Sequence, residues 1–263
     1  MIKHYEDKKL GTFEYDDKEF EIVYDYDIKS DYLHYIGKGL SVDLPEGCIN
    51  TSYMFRYCDL PEGFTLGDKF NTSNVKDMSY MFYYCTLPKN FTLENHFDTS
   101  KVLNMRYMFS HCEIPEGFSL GNKFDTFNVK NMYNMFANCM FPEGFSLGNY
   151  FNTCNVTNMH SMFAECELPE GFTLGYNFDT SNVINMNSMF WRCKISKRFS
   201  LGDKFDMSNV KTMTNMFSHC EIPEDFSLGD KFDASNAYYT DGMFANCKFP
   251  KGMSEESLLN GNK

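Results

Sequence analysis

The chain has 263 residues, enough for one large domain or two small ones, and its 43% hydrophobic and 17% aromatic content supplies a sizeable core. Thirty-six acidic against 24 basic residues leave a formal net charge of −12. That balance argues against binding of nucleic acid or anionic membranes through phosphate contacts. The opening Met1-Ile2-Lys3-His4-Tyr5-Glu6-Asp7 has no apolar secretory core, and no run of about 18 apolar residues offers a membrane span. The expectation is synthesis without export and a cytoplasmic location, with a surface location left open.

Residues 1–31 hold ten acidic and five lysine residues, and the stretch Gly11 to Tyr24 reads as a β-hairpin with a polar turn. Ser52-Tyr53-Met54-Phe55-Arg56-Tyr57-Cys58 reads as the last part of an abbreviated repeat, which makes residues 1–58 an N-terminal cap.

Eight of the ten cysteines, from Cys58 through Cys85 and onward to Cys247, lie 27 residues apart with no insertion or deletion. Seven full units therefore run from Asp59 to Cys247, and residues 248–263 form a partial eighth unit or C-terminal cap. Numbered 1 to 27, each unit has Phe at positions 6, 12 and 24 and Leu at 8; the three Phe columns contribute 21 of the 27 phenylalanines. Met at 20 and 23 contributes 13 of the 18 methionines, so the odd composition is one core repeated.

Within a unit such as Asp59–Cys85, Leu60-Pro61-Glu62-Gly63 predicts a type I turn. Phe64-Thr65-Leu66 alternates like a short strand with one buried face. Asn71-Thr72-Ser73 has helix N-cap chemistry, and apolar residues at 17, 20, 24 and 27 step by three or four as on a helical stripe. Positions 18, 22 and 25 would then face solvent. One strand and one helix in 27 residues predict a curved α/β solenoid of leucine-rich-repeat type, with seven strand-turn-helix units, a β-hairpin cap and strands lining the concave side.

The string Asn71-Thr72-Ser73-Asn74-Val75…Met78…Met81-Phe82…Cys85, recurring through the units with losses in the seventh, resembles the BspA-like leucine-rich repeats of bacterial surface proteins and mycoplasma-type lipoproteins. The resemblance covers the repeat array and not residues 1–40. It implies a solenoid that binds proteins or cell surfaces and carries no catalysis, with no shared catalytic residues to transfer.

The cysteine column reads as buried, reduced thiols, a small apolar filling for a core. Metal ligation would want Cys-x-x-Cys pairs with His close by, and none occurs; adjacent-unit disulfides are the alternative. His111 and His219 share position 26 four units apart, and His96 and His160 occupy other columns, so no nucleophile–base pair is expected. No P-loop or dinucleotide fingerprint is present. No cofactor, metal or enzymatic activity is expected.

Binding residues stand out more clearly. Position 22 is Tyr53, Tyr80 and Tyr107 in successive units, with Arg56, Tyr57, Tyr83, Tyr84, Arg106 and Tyr133 in neighbouring columns, and Tyr and Arg are hot-spot residue types. The alternative is a tyrosine-rich convex surface that only helps helices pack. A second anomaly is Ile195-Ser196-Lys197-Arg198 in place of the usual turn, next to Trp191, Arg192 and Lys194, a basic island whose bland alternative is drift in a tolerant turn. Position 7 is a column of hydroxyls from Thr65 to Ser227. Together these features predict a non-enzymatic scaffold for an unidentified protein partner. The alternatives are an acidic intracellular decoy of a basic effector and a glycan-binding surface protein using the hydroxyl column.

Overall fold

The computed structural model describes residues 1–93, 97–229 and 232–260; His96 lies outside them. At the N-terminus, β1 (Ile2–Asp7) pairs antiparallel with β2 (Gly11–Asp16), and β3 (Phe20–Asp25) with β4 (Ser30–Tyr35). The expected hairpin over Gly11–Tyr24 is therefore not formed, because its two halves belong to different hairpins. Local chemistry explains the split. The Asp7 carboxylate accepts from the Leu10 amide and Gly11 adopts φ 98°, turning β1 into β2. Asp25 accepts from the amides of Asp27 and Ile28 and Lys29 adopts φ 52°, turning β3 into β4. Leu10, Phe13, Phe20, Leu33 and Tyr35 are buried from this cap into the main core.

β5 (Ser41–Val42) then pairs in parallel with β6 (Thr65–Leu66) at a spacing of 24 residues, so the first coil is shorter than the rest. From there the chain returns upon itself every 27 residues. Position 19 forms an unbroken parallel ladder, Asn50–Asp77–Asn104–Asn131–Asn158–Asn185–Thr212–Tyr239. Position 1 forms another, interrupted ladder, in which β7 (Glu167–Leu168) and β8 (Lys194–Ile195) pair in parallel. The strand expected at positions 6 to 8 is reduced in the later units to isolated bridges such as Thr92–Ser119 and Thr173–Ser200.

Among the described residues the repeats contain no helix. The only α-helix among them is α1 (Glu255–Asn260), begun by Ser254, whose Oγ accepts from the Ser257 amide at 3.2 Å. The strand-turn-helix, leucine-rich-repeat-type architecture is thus overturned, and the array is a stack of helix-free coils. The reason lies in where the amides point. Met81, Tyr83 and Cys85 donate back to Met78, Tyr80 and Phe82, closing successive tight turns. The intervening amides of Tyr80, Phe82 and Tyr84 instead donate to Arg106, Met108 and Ser110 of the next coil, at 2.8–3.0 Å. A helix needs every amide to reach back four residues, and here alternate amides are committed sideways. Positions 22 and 26 reverse the backbone at positive φ, 58° at Tyr80 and 53° at Tyr84, with the same feature at Asn134, Asn138, Ser188 and Arg192.

The supposed N-cap is an Asx turn. Asn71 Oδ1 accepts from the Ser73 amide at 3.0 Å, and Asp98 and Asp179 repeat the bond with Ser100 and Ser181. Thr at position 14 points inward, fully buried, and donates to the next coil: Thr72 to Asp98 O, Thr126 to Asn152 O and Thr180 to Asp206 O, all at 2.7–2.8 Å. The proline turn is shifted by one residue, since Phe64 N donates to Pro61 O with Gly63 at φ 77°. Arg198 takes the same left-handed position at φ 60° in the sixth unit.

Three phenylalanine columns fill the interior. Successive rings at position 24 lie 5.2–5.7 Å apart, as in Phe55–Phe82 and Phe136–Phe163. Rings at positions 6 and 12 lie farther apart, 6.4 Å for Phe64–Phe91 and 6.2 Å for Phe70–Phe97. On the other side, Tyr53–Tyr80 and Tyr80–Tyr107 close to 4.7 and 4.4 Å. The coils therefore converge toward the tyrosine column and fan apart toward positions 6 and 12, opposite to the arc expected with strands at 6 to 8 on the concave side. No helix among the described residues is long and apolar enough to cross a membrane.

Candidate functional site

The edge where the coils converge carries the side chains of positions 22, 25 and 26. Position 22 opens outward because its residue has left-handed φ, and the tight coil spacing there stacks equal side chains face to face. Tyr53, Tyr80 and Tyr107 form such a stack, with ring planes 7° and 12° apart, continued by Tyr32 on the cap side and by Tyr133 at 5.1 Å. Arg56 lies 5.3 Å from the Tyr53 ring centre and 4.9 Å from Tyr57, and is held by Asp25 of β3 at 3.2 Å. Arg106 lies 5.5 Å from the Tyr80 ring. Tyr84 stacks on His111 at 4.0 Å, and Tyr83 sits edge-on to Tyr80, Tyr84 and Tyr107.

The nine residues singled out in the N-terminal half are thus one contiguous aromatic-cationic surface, partly self-satisfied rather than freely solvated: Tyr53 is buried, while Tyr57 and Tyr84 are the exposed members. Burial raises the Tyr53, Tyr80 and Tyr83 hydroxyls above the ordinary phenol value. A hydrogen bond to Tyr107, with burial second, pushes Tyr133 up to about 12. Burial lowers His111 and His160, so both are neutral at pH 7.

The basic island has a different setting. Three of its cations lie over an acid one coil back: Arg192 is 4.0 Å from Glu165, Arg198 is 3.0 Å from Glu170, and Lys194 pairs with Glu167. Lys197 is exposed, and its carbonyl accepts from the Gly171 amide. Trp191 stays in contact with this group through Arg192. The Arg192 guanidinium lies 4.3 Å from its ring centre, and the indole projects at position 25, in the same column as Tyr83.

Between those two rings the column holds Ser110, Ala137 and Ala164, and a groove of about 310 Å³ opens there. Tyr83, Tyr107 and His111 wall one end and Trp191 the other; Asn134 and Ser161 flank it on one side, Asn138 and Glu165 on the other. Sequence reasoning missed these central residues because the helical assignment placed position 25 in solvent, although the large-small-small-small-large order was visible. The hydroxyl column is occupied locally: Ser119, Ser146, Ser200 and Ser227 each accept from the amide two residues on, at 3.1 Å.

All ten cysteines are unpaired. At position 27 each thiol from Cys112 to Cys247 donates to the carbonyl of the position-24 phenylalanine in the preceding coil, as with Cys139 to Phe109 at 3.0 Å. Among the described residues no three His, Cys, Asp or Glu side chains converge as a metal site.

No curated protein and no solved structure matches the chain. A family model described as Mycoplasma protein of unknown function, DUF285, matches residues 49–170, 114–225 and 172–255. These overlapping matches span residues 49–255, more than three quarters of the sequence, leaving out the paired hairpins of the cap and β5 of the first coil. The chain belongs to the DUF285 family.

Proposed function

We propose that the chain is a non-enzymatic module that binds a protein partner through the tyrosine-arginine edge of the coil stack. The observation that carries this is the preorganised Tyr53–Tyr80–Tyr107 stack with Arg56 and Arg106 packed over it, a rigid aromatic surface that loses little side-chain entropy on docking. The resemblance of the repeat motif to BspA-like surface proteins supports a binding role of the same kind. Ten unpaired cysteines support a reducing, cytoplasmic compartment.

The test is site-specific photocrosslinking in living cells of the native organism. A photoreactive phenylalanine derivative placed at Tyr57 or Tyr84 should yield a discrete protein adduct, and the same group at Ser146 in the hydroxyl column should yield none. An adduct from Ser146 alone would move the interface to the opposite side of the coils.

A further inference from the structure

The groove between Tyr83 and Trp191 has features that packing alone does not account for. Its floor, Ser110, Ala137 and Ala164, is small where the same position in the flanking coils carries large rings. The Ser110 hydroxyl is fully buried and has no hydrogen-bond partner. Ser218, at the same position three coils beyond Ala137, donates its hydroxyl to the Ala245 carbonyl at 3.0 Å, so the coil can satisfy a serine here and does not do so in the groove. An unmet buried hydroxyl is costly unless something else supplies the partner.

The lining also constrains the ligand. Tyr83 and Trp191 are four coils apart, on the order of 19 Å at ~4.8 Å per coil, room for about five extended residues at ~3.3 Å each. The floor is largely apolar methyl, which suits a side chain better than a sugar ring. Side-chain amides line both flanks, Asn134 on one and Asn138 on the other; Asn138 Nδ2 already donates to Glu165 Oε2 at 3.0 Å, and the second N–H and the carbonyl oxygen of that amide suit a peptide backbone. Glu165 is the one acidic residue of the lining; it accepts from Asn138 at 3.0 Å and has the exposed Arg192 only at a long 4.0 Å, and no Lys or Arg is among the lining residues.

Given the protein-binding role proposed above, we infer that this groove takes a short extended peptide segment of the partner, with an apolar side chain over Ala137 and Ala164 and a Lys or Arg beside Glu165.

The experiment pans a phage-displayed linear heptapeptide library on the full chain and measures the enriched peptides, as synthetic material, against variants. Ala137→Tyr with Ala164→Trp fills the groove with side chains that the fold already carries at this position in Tyr83 and Trp191, and an unchanged urea midpoint verifies folding. Glu165→Gln, at an exposed residue, gives an independent reading should the double variant prove unstable. Enriched peptides should pair an apolar residue with a basic one. The filled variant should weaken them at least tenfold, and Glu165→Gln should weaken basic peptides selectively. A library with no enriched clones, or clones that bind wild type and the variants alike, would overturn the groove assignment. So would binding of an arrayed oligosaccharide, rather than any peptide, that is lost on filling. Clones insensitive to filling but lost in Tyr57→Ala and Tyr84→Ala would remove the groove and leave the protein-binding role standing, whereas photocrosslinking that fails at Tyr57 and Tyr84 tests that role separately.

Discussion

The thiol of Cys112 donates to the carbonyl oxygen of Phe82, 2.8 Å away in the preceding coil, and that carbonyl also accepts the Cys85 amide. From Cys112 onward, each cysteine of the column is thereby a linker between neighbouring coils rather than a reactive group.

Burial pushes the Cys112 thiol up to about 12 and Cys48 to about 11, and raises Cys85, Cys139 and Cys166 well above the ordinary thiol value. An acid whose folded pKa is raised binds its proton more tightly when folded, so its contribution is intact below the unfolded value. It is lost as pH climbs from about 8.5 through the folded pKa. Each such thiol removes about 1.4 kcal/mol per pH unit in that window. Alkaline titration followed by circular dichroism should show steep cooperative unfolding between roughly pH 9 and 12, and a structure unchanged to pH 12 would contradict the burial.

In native protein a maleimide reagent should reach at most the three partly exposed cysteines, Cys58, Cys154 and Cys247, while all ten react in denaturant. Mass spectrometry without reduction should find no adjacent-unit disulfide. Several such bridges would refute the free-thiol ladder.

Thr126→Val keeps the shape of a buried side chain and deletes its bond to the Asn152 carbonyl, at a cost of about 1–3 kcal/mol in urea denaturation. Thr126→Ser, which keeps the hydroxyl, should cost less. Equal loss in both would mean that the methyl packing, and not the hydrogen bond, matters at this position.

The left-handed backbone at Ser188, φ 56°, offers a direct check on the coil against a helix. Ser188→Gly should be neutral or stabilising because glycine adopts that conformation without a Cβ clash. Ser188→Ile should destabilise by about 1–2 kcal/mol or more. In a helix the order would reverse, with glycine the worse residue.

Removal of residues 1–47 takes away Asp25, which holds Arg56, and Tyr35, whose ring contacts Phe55 and Phe64 at 5.4 and 5.7 Å. The first coils then lose their covering face, and light scattering should report aggregation or the melting temperature should fall. A monomer with unaltered melting would show that the paired hairpins are an appendage.

The sequence alone established the 27-residue period, the seven units and the columns that build the core, because register and side-chain identity repeat without a gap. It also marked Tyr53, Arg56, Tyr80, Tyr107 and Trp191 as unusual for their columns. The fold of each unit was not legible: Met78, Met81, Phe82 and Cys85 have the same three-and-four spacing whether they lie on a helix or on consecutive turns. The choice falls to hydrogen bonds between residues 26 apart, such as Tyr80 N to Arg106 O, which exist only once coils are stacked. Those bonds also decide the site. They bring the coils closest at the tyrosine column and turn position 25 into a groove floor, so that Tyr83 and Trp191, 108 residues apart in the chain, close the two ends of one cavity.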